Sequence, residues 1–210
     1  MTAFTIILPH KRNPGNNAAL SICLDMLQAN TVSDFVLIMD AATNLPLYPR
    51  VNRMVNQAQT EVCVYWASDM FAAPGWDLPM LQLFERDTFI NNTVVEPGVM
   101  AMYGGNHKED FGKTPAMFDR ARFEHWAAND GHTAGGVGWF APYMFPRSGF
   151  IEMGCLDLTV DAEYEFGGAD MTLFDKWLMA GKRVLRAPDS FVYHLQRWSD
   201  EEEQEAEKRR

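Results

Sequence analysis

Three aspartates and one histidine lie where side chains capable of chemistry could converge. Asp40, Asp69 and His194 each end an apolar run, and Asp170 follows two glycines and an alanine. An acidic side chain at the carboxyl end of a buried parallel strand lies in the crevice where open α/β sheets bind ligands. Carboxylates and an imidazole gathered there could hold a divalent cation or move a proton. The sequence therefore predicts that one sheet edge brings these four side chains together.

The elements that must position them alternate regularly in the first half of the chain. Short apolar runs exchange with helical patterns, which is typical of βαβ units and a parallel sheet. A helix is expected to begin at Asn16 or Asn17, because either side chain can cap it. The strands predicted here are 4–8, 35–39 and 62–66, and the later helices are 48–59 and 78–84. This half is predicted to form a doubly wound core.

The second half is less regular. Its predicted strands are 93–103, 138–145, 184–185 and 191–193, and its predicted helices are 115–128, 147–153 and 171–180. Two polar, glycine-rich segments, 104–114 and 129–138, are expected to be mobile or ligand-covering loops. The tail from residue 199 is strongly charged and is expected to be a solvated helix or a disordered end.

Length and composition set broad limits. With 210 residues, 47% of them hydrophobic, the chain is expected to bury one core and form one domain. The net charge of −10 argues against long nucleic acid as a general partner, because such binding needs clustered Lys and Arg. A local basic groove remains compatible with this charge.

Cysteine usage and the amino terminus indicate a compartment. Cys23, Cys63 and Cys155 are odd in number and lie in apolar runs, which is typical of small buried hydrophobic residues rather than disulfides or metal ligands. The first residues show neither a basic region nor a long apolar segment, and no stretch approaches the ~20 apolar residues of a membrane span. We therefore expect a soluble protein of the reducing cytoplasm.

The ordered set of motifs resembles the family 2 glycosyltransferases of the GT-A fold, over about residues 4–195. The matching pieces, in chain order, are Ile6–Arg12, Asp40, Asn52 and Asn56, Ala67–Asp69, Pro74–Trp76, Met144–Gly154, Gly168–Leu173, Ala180–Gly181, Pro188 and Val192–His194. The chain departs from the family pattern in three places. Ala41 and Ala42 follow Asp40 instead of acid and glycine, Asp69 is the last acid left of the Asp-x-Asp motif, and Ala169 replaces the first acid of a Glu-Asp pair.

This resemblance implies an α/β GT-A fold, a Rossmann-like and mostly parallel sheet flanked by helices, with a smaller acceptor-side half. It implies one domain over 1–198, with a nucleotide-binding half at 1–90, an acceptor-side half at 91–198 and a charged tail at 199–210. The implied activity is inverting, metal-assisted transfer of a hexosyl or related sugar from a nucleotide-sugar donor, UDP-linked, to a hydroxyl acceptor. The implied cation is Mn²⁺ or Mg²⁺.

The resemblance also implies roles for individual residues. Asp69 and His194 would bind the metal, and Asp170 would take the proton from the acceptor. The donor would be contacted by Pro9, His10 and Arg12 of the first loop, by Asp40 at the base and by Trp139 as a sugar-stacking surface, for which Trp76 is a second candidate. Each has a structural alternative: helix or turn caps for the aspartates, a backbone-bonded histidine, a solvated arginine and core tryptophans.

Two other functions stay open at this point. A nucleotidyltransferase could use a similar sheet, but its first loop is typically glycine-rich, whereas 9–15 contains Gly15 alone. A nucleotide-sugar-binding pseudoenzyme is suggested by Ala67, Ser68 and Ala169, where acids are missing. The acceptor also stays open among polysaccharide, protein, lipid-linked glycan and a modified nucleic-acid base.

Overall fold

The computed structural model describes residues 3–10, 14–41, 46–97, 107–132, 141–157 and 168–195. The strands are β1 Phe4–Pro9, β2 Phe35–Asp40, β3 Val62–Tyr65, β4 Met70–Ala72, β5 Thr88–Glu96, β6 His107–Lys108, β7 Tyr143–Pro146 and β8 Arg183–His194. The helices are α1 Pro14–Asn30, α2 Leu47–Gln57, α3 Asp77–Leu83, α4 Arg120–Asn129, α5 Arg147–Glu152 and α6 Gly168–Met179. None of the described helices has the length and apolar character needed to cross a membrane.

All eight strands belong to one sheet, in the order β2-β1-β3-β7-β5-β8-β4, with β6 paired to β5. β7 and β4 run antiparallel to their neighbours, whereas the other described pairings are parallel. β1, β2, β3, β5 and β8 therefore point the same way, and their last residues lie along one edge. We call this the carboxyl edge. The mostly parallel, helix-flanked sheet confirms the predicted α/β architecture.

The core lies on both faces of this sheet. Successive side chains of a strand point to opposite faces, so neighbouring residues of β1 enter different clusters. Ile6 packs with Cys23 and other apolar residues of α1, whereas Ile7 packs with Val51 and the apolar side of α2. Every residue of β1 is buried. This central strand holds the first half together as the predicted doubly wound unit.

A close helix contact positions the second half. Gly149 of α5 lies against Trp177 of α6, where a Cβ atom at position 149 would come within 2.4 Å of the indole ring. The Trp177 ring nitrogen donates to the Asp87 carbonyl oxygen at 3.0 Å. Phe89 of β5 packs edge-on to the same indole. These contacts hold the later turns of α6 against the sheet.

Several element boundaries differ from the prediction. The residues predicted as two short strands near the end form one strand, β8, which pairs with β5 through a register shift between Asn91 and Thr93. β5 begins at Thr88, earlier than expected, and β4 was missed because it has only three residues. α4 begins at Arg120 because the Asp119 side chain accepts from the Arg122 backbone N–H and caps the helix there.

The glycine-rich segment 104–114 is partly packed. Its described residues, 107–114, include β6, and Phe111 is buried against Phe123 and Tyr193. For these residues, the expectation of a mobile covering loop is wrong, because aromatic packing anchors them. Residues 104–106, most of 129–138 and the charged tail lie outside the described residues.

The cysteines are free thiols, as predicted. Cys23 and Cys63 are buried and Cys155 is half-buried. Burial raises the pKa of the Cys63 thiol to about 12 and raises the pKa of Cys23 further. Protonated, buried thiols are poor nucleophiles and poor metal ligands, so these two cysteines serve packing.

Candidate active site

Asp69 and His194 are brought together by strand pairing. Asp69 immediately precedes β4, and the first residue of that strand, Met70, pairs with His194 at the end of β8. The Leu195 backbone N–H donates to the Asp69 carbonyl oxygen at 2.9 Å. The backbones of the two predicted metal ligands therefore lie beside each other at the carboxyl edge. The sequence predicted Asp69 at the end of the strand. In the structure β3 ends at Tyr65, and Asp69 follows a short turn.

Glu96 joins this pair from the neighbouring strand. It is the last residue of β5, its side chain is 6% exposed, and its Oε1 lies 2.6 Å from Nδ1 of His194. The structural alternative of a histidine bonded only to backbone is therefore wrong. Glu96 was missed because the predicted strand 93–103 was taken to be interrupted at Pro97 and Gly98 rather than to end before them. The useful signal was an acid directly after two valines and directly before a proline, which is a strand end.

Asp170 lies on the other side of the carboxyl edge. It is the third residue of α6, in the first turn rather than before the helix, so the N-cap alternative is wrong. Its Oδ1 accepts a hydrogen bond of 2.8 Å from the hydroxyl of Tyr143, the first residue of β7. A carboxylate in the first helical turn also interacts favourably with the helix dipole. The Tyr143 hydroxyl therefore holds one oxygen of the Asp170 carboxylate in place.

Two tyrosines with tilted rings pack against each other near the acids. Tyr65 and Tyr143 face each other across β3 and β7, with ring centroids 5.1 Å apart. Burial raises the pKa of both phenols well above the usual value of 10, and the negative charge of Asp170 raises each further. Asp69 also raises the pKa of Tyr65. Both tyrosines therefore stay protonated at neutral pH, and Tyr143 remains a hydrogen-bond donor.

The predicted nucleotide side is built around Arg50. Pro9 pairs in register with Asp40, and the His10 backbone N–H donates to the Asp40 carbonyl oxygen at 2.8 Å. The buried Arg50 of α2 donates to the carbonyl oxygens of His10 and Asp40, at 3.0 and 3.3 Å. One guanidinium thereby fixes the ends of β1 and β2 relative to each other.

The side chains at these strand ends already have protein partners. The Asp40 carboxylate forms an ion pair with Arg53 of α2. The ring nitrogen Nε2 of His10 lies 2.9 Å from the Asn17 side-chain oxygen, so Asn17 contacts this ring instead of capping α1, which begins at Pro14. Nδ1 of His10 is buried with no hydrogen-bond partner among the described residues. A base contact by Asp40 stays a prediction.

The remaining predicted site residues are Arg12, Trp139 and Trp76. Arg12 and Trp139 lie outside the described residues. Trp76 is fully buried between Phe4 and Trp66 and donates to the Thr31 hydroxyl, so it is a core residue and cannot stack on a sugar. A cavity of about 600 Å³ lies at the amino end of β2, beside the end of α1. It is at the opposite end of the strand from the predicted site.

The donor set at the carboxyl edge fits a cation only if a ligand completes the coordination. Within the described ranges there is no group of three or more His, Cys, Asp or Glu side chains that could hold a metal by itself. Asp69 and His194 provide one carboxylate and one imidazole. Divalent cations at phosphate-handling sites are often held by one or two protein ligands together with substrate phosphates. The residues present therefore fit a cation shared with a diphosphate.

Comparison with known proteins places the fold. No protein-family model matches the chain, and no curated protein matches its sequence. The curled, mostly parallel sheet and its flanking helices are a GT-A-like fold. One structural match is the crystal structure of GalNAc-T7 with UDP, GalNAc and Mn2+, at a TM-score of 0.56 and 14% sequence identity.

The matched structure is much longer than this chain. The match covers 95% of this chain and 45% of that chain, so this chain spans less than half the length of the matched structure. At such identity the similarity concerns the fold. Membership of family 2 stays a prediction.

Proposed function

We propose that the protein is a metal-dependent glycosyltransferase that moves a sugar from a nucleotide-sugar donor to a hydroxyl acceptor. The observation that carries this proposal is the pairing of β4 with β8, which sets Asp69 beside His194 at the carboxyl edge. The GT-A-like fold supports it, as does Asp170, which is hydrogen-bonded to Tyr143 at the same carboxyl edge. Ligands of open α/β sheets bind in this crevice.

The cation would be held by Asp69 and His194, with oxygens of the donor diphosphate as further ligands. When bound, Mn²⁺ or Mg²⁺ would stabilise the negative charge that grows on the leaving diphosphate. The structural neighbour contains UDP and Mn2+, which supports UDP as the nucleotide here. Pro9, His10, Arg12 and Asp40 would contact the nucleotide, and Trp139 the sugar.

Asp170 would act as the general base. The acceptor hydroxyl oxygen attacks the anomeric carbon, its proton passes to the Asp170 carboxylate, and the bond from the anomeric carbon to the diphosphate oxygen breaks. One direct displacement inverts the configuration at that carbon. The Tyr143 hydroxyl occupies Oδ1 of Asp170 and so orients the carboxylate for this step. A base must come within ~3 Å of the proton that it removes.

A binding protein without turnover is the second candidate. It is favoured by Ala67, Ser68 and Ala169, which stand where the resembling family has further acids, and by a donor set of two ligands. Both candidates require donor binding, and the enzyme alone requires Asp170 as base. Turnover separates them.

Thermal shift with nucleotides tests the binding that the proposal requires. UDP together with Mn²⁺ should raise the melting temperature, since a ligand at 100 times its Kd adds ~2.7 kcal/mol to the native state. UDP alone and Mn²⁺ alone should give smaller shifts, because each completes only part of the site. Identical shifts for UDP with and without Mn²⁺ would contradict a metal-dependent site.

Replacing Tyr143 with Phe tests how Asp170 is oriented. The variant keeps the ring packing and removes one hydrogen bond to a carboxylate, a contact worth about 1.5–3 kcal/mol. We expect turnover to fall about tenfold, which corresponds to ~1.4 kcal/mol, with the donor Kd unchanged. Steady-state kinetics and calorimetry measure the two quantities.

Trp177→Phe is the matched control for that variant. This change removes the buried indole N–H that donates to the Asp87 carbonyl oxygen, at the far end of α6 from Asp170. Both variants should lose stability, but turnover should fall in Tyr143→Phe alone. Equal turnover in the two variants would assign Tyr143 a purely structural role.

A further inference from the structure

Glu96 is an acid whose place in the fold is not explained by packing alone. It is nearly fully buried at the carboxyl end of β5, in a sheet edge that otherwise collects the proposed site residues. A buried carboxylate is costly unless it has strong partners, and one partner of Glu96 is Nδ1 of His194 at 2.6 Å. The contact joins neighbouring parallel strands, β5 and β8, at their ends.

Both partners are held by backbone contacts. The Glu96 carbonyl oxygen accepts from the Glu109 N–H at 3.1 Å, and Glu96 pairs in register with Lys108 of β6. His194 pairs with Met70, and the next residue, Leu195, donates to the Asp69 carbonyl oxygen. The backbone of His194 is therefore held beside the Asp69 turn, and its ring contacts Glu96.

We propose that Glu96 is a positioning residue of the metal site, which accepts Nδ1–H of His194 and thereby presents Nε2 of the ring to the cation. The inference rests on the proposed function, since it concerns the same cation. A neutral imidazole carries one proton, and a carboxylate at Nδ1 selects the form whose lone pair is on Nε2. Metal-binding histidines typically donate their other N–H to such a partner. Glu96 also adds negative charge close to the cation without contacting it.

Nuclear magnetic resonance of the metal-free protein tests the first step without any turnover. The imidazole nitrogens of the five histidines can be observed by long-range proton–nitrogen correlation, and His194→Ala identifies the signal of interest. At pH 8, His194 of the wild-type protein should carry its proton on Nδ1. A neutral ring protonated on Nε2 would overturn the proposal with no variant needed.

Metal binding tests the second step. Mn²⁺ is titrated into the protein in the presence of UDP and followed by electron paramagnetic resonance. Glu96→Gln keeps the size of the side chain and should weaken Mn²⁺ binding by about 10–100-fold, as loss of such partners typically does. The matched control is Glu109→Gln, which removes the same charge from a neighbouring residue whose backbone N–H donates to the Glu96 carbonyl oxygen. Its Mn²⁺ affinity should stay within about twofold.

A double-mutant cycle tests whether Glu96 acts through His194. Adding Glu96→Gln to His194→Ala should weaken Mn²⁺ binding no further than His194→Ala alone, because the ring that Glu96 positions is gone. Equal losses in both backgrounds, or wild-type affinity in Glu96→Gln, would overturn the positioning role and leave the proposed function standing. Absence of UDP-dependent Mn²⁺ binding in the wild-type protein would overturn both together.

Discussion

Asp170→Asn should lower turnover by about 10²–10⁴-fold, the usual contribution of a general base. Asn keeps the size of the side chain and an oxygen that can accept from Tyr143, so α6 should stay in place. The variant loses the proton acceptor and nothing that contacts the donor. Donor affinity should therefore remain within about threefold, because uniform donor binding is unaffected. Turnover, donor Kd and melting temperature measure the three effects.

Asp175→Asn is the control for this variant. Asp175 lies on the same helix, α6, but its side chain is exposed, so the same chemical change occurs away from the crevice. Turnover of Asp175→Asn should match the wild-type value. If Asp170→Asn also kept near wild-type turnover, Asp170 would be removed from the mechanism, and a water-mediated base would have to replace it.

Asp69→Ala should abolish Mn²⁺-dependent binding of UDP. Asp69 is the one carboxylate left of the motif, and the proposed site has only His194 as a second protein ligand. Removing it halves the protein ligand set and removes the negative charge that attracts the cation. The fold should persist, because the hydrogen bond that Asp69 contributes to β8 comes from its backbone carbonyl. Calorimetry with UDP, with and without Mn²⁺, measures the loss.

Asp25→Ala serves as its control. Asp25 is an exposed acid on α1, beside the cavity at the amino end of β2, and its loss changes the net charge equally. UDP binding in this variant should depend on Mn²⁺ as in the wild-type protein. Unchanged metal-dependent affinity in Asp69→Ala would contradict its assignment as a ligand, whereas His194→Ala should weaken the binding less severely.

Much of the fold could be predicted because the first half follows simple local rules. β1 and β3 are continuous apolar runs, which is what strands buried on both faces require. The helix predicted before β3, 48–59, is also present, and α2 lies within two residues of these bounds. The second half could not be predicted as well. β8 contains Pro188 and polar residues that break its pattern, and it exists because β5 pairs along most of its length.

The site was predictable in part for the same reason. Asp69, Asp170 and His194 stood out as polar residues at ends of apolar runs or beside glycines, and the carboxyl edge collects them. Glu96 and Tyr143 did not stand out, because their partners, His194 and Asp170, are 98 and 27 residues away along the chain. Such contacts depend on strand order. Sequence patterns do not specify strand order. The Glu96 contact requires β5 to lie beside β8, and the Tyr143 contact requires β7 to lie between β3 and β5.

The most direct measurement is release of UDP from UDP-linked sugars by the purified protein, with and without Mn²⁺. We expect UDP release to require Mn²⁺ and to rise when a hydroxyl acceptor is supplied. In Asp170→Asn it should drop at least 10²-fold. We also expect a product with inverted configuration at the anomeric carbon. A wild-type protein that binds UDP with Mn²⁺ yet releases no UDP from any donor, with or without acceptor, would contradict the account and identify a binding protein.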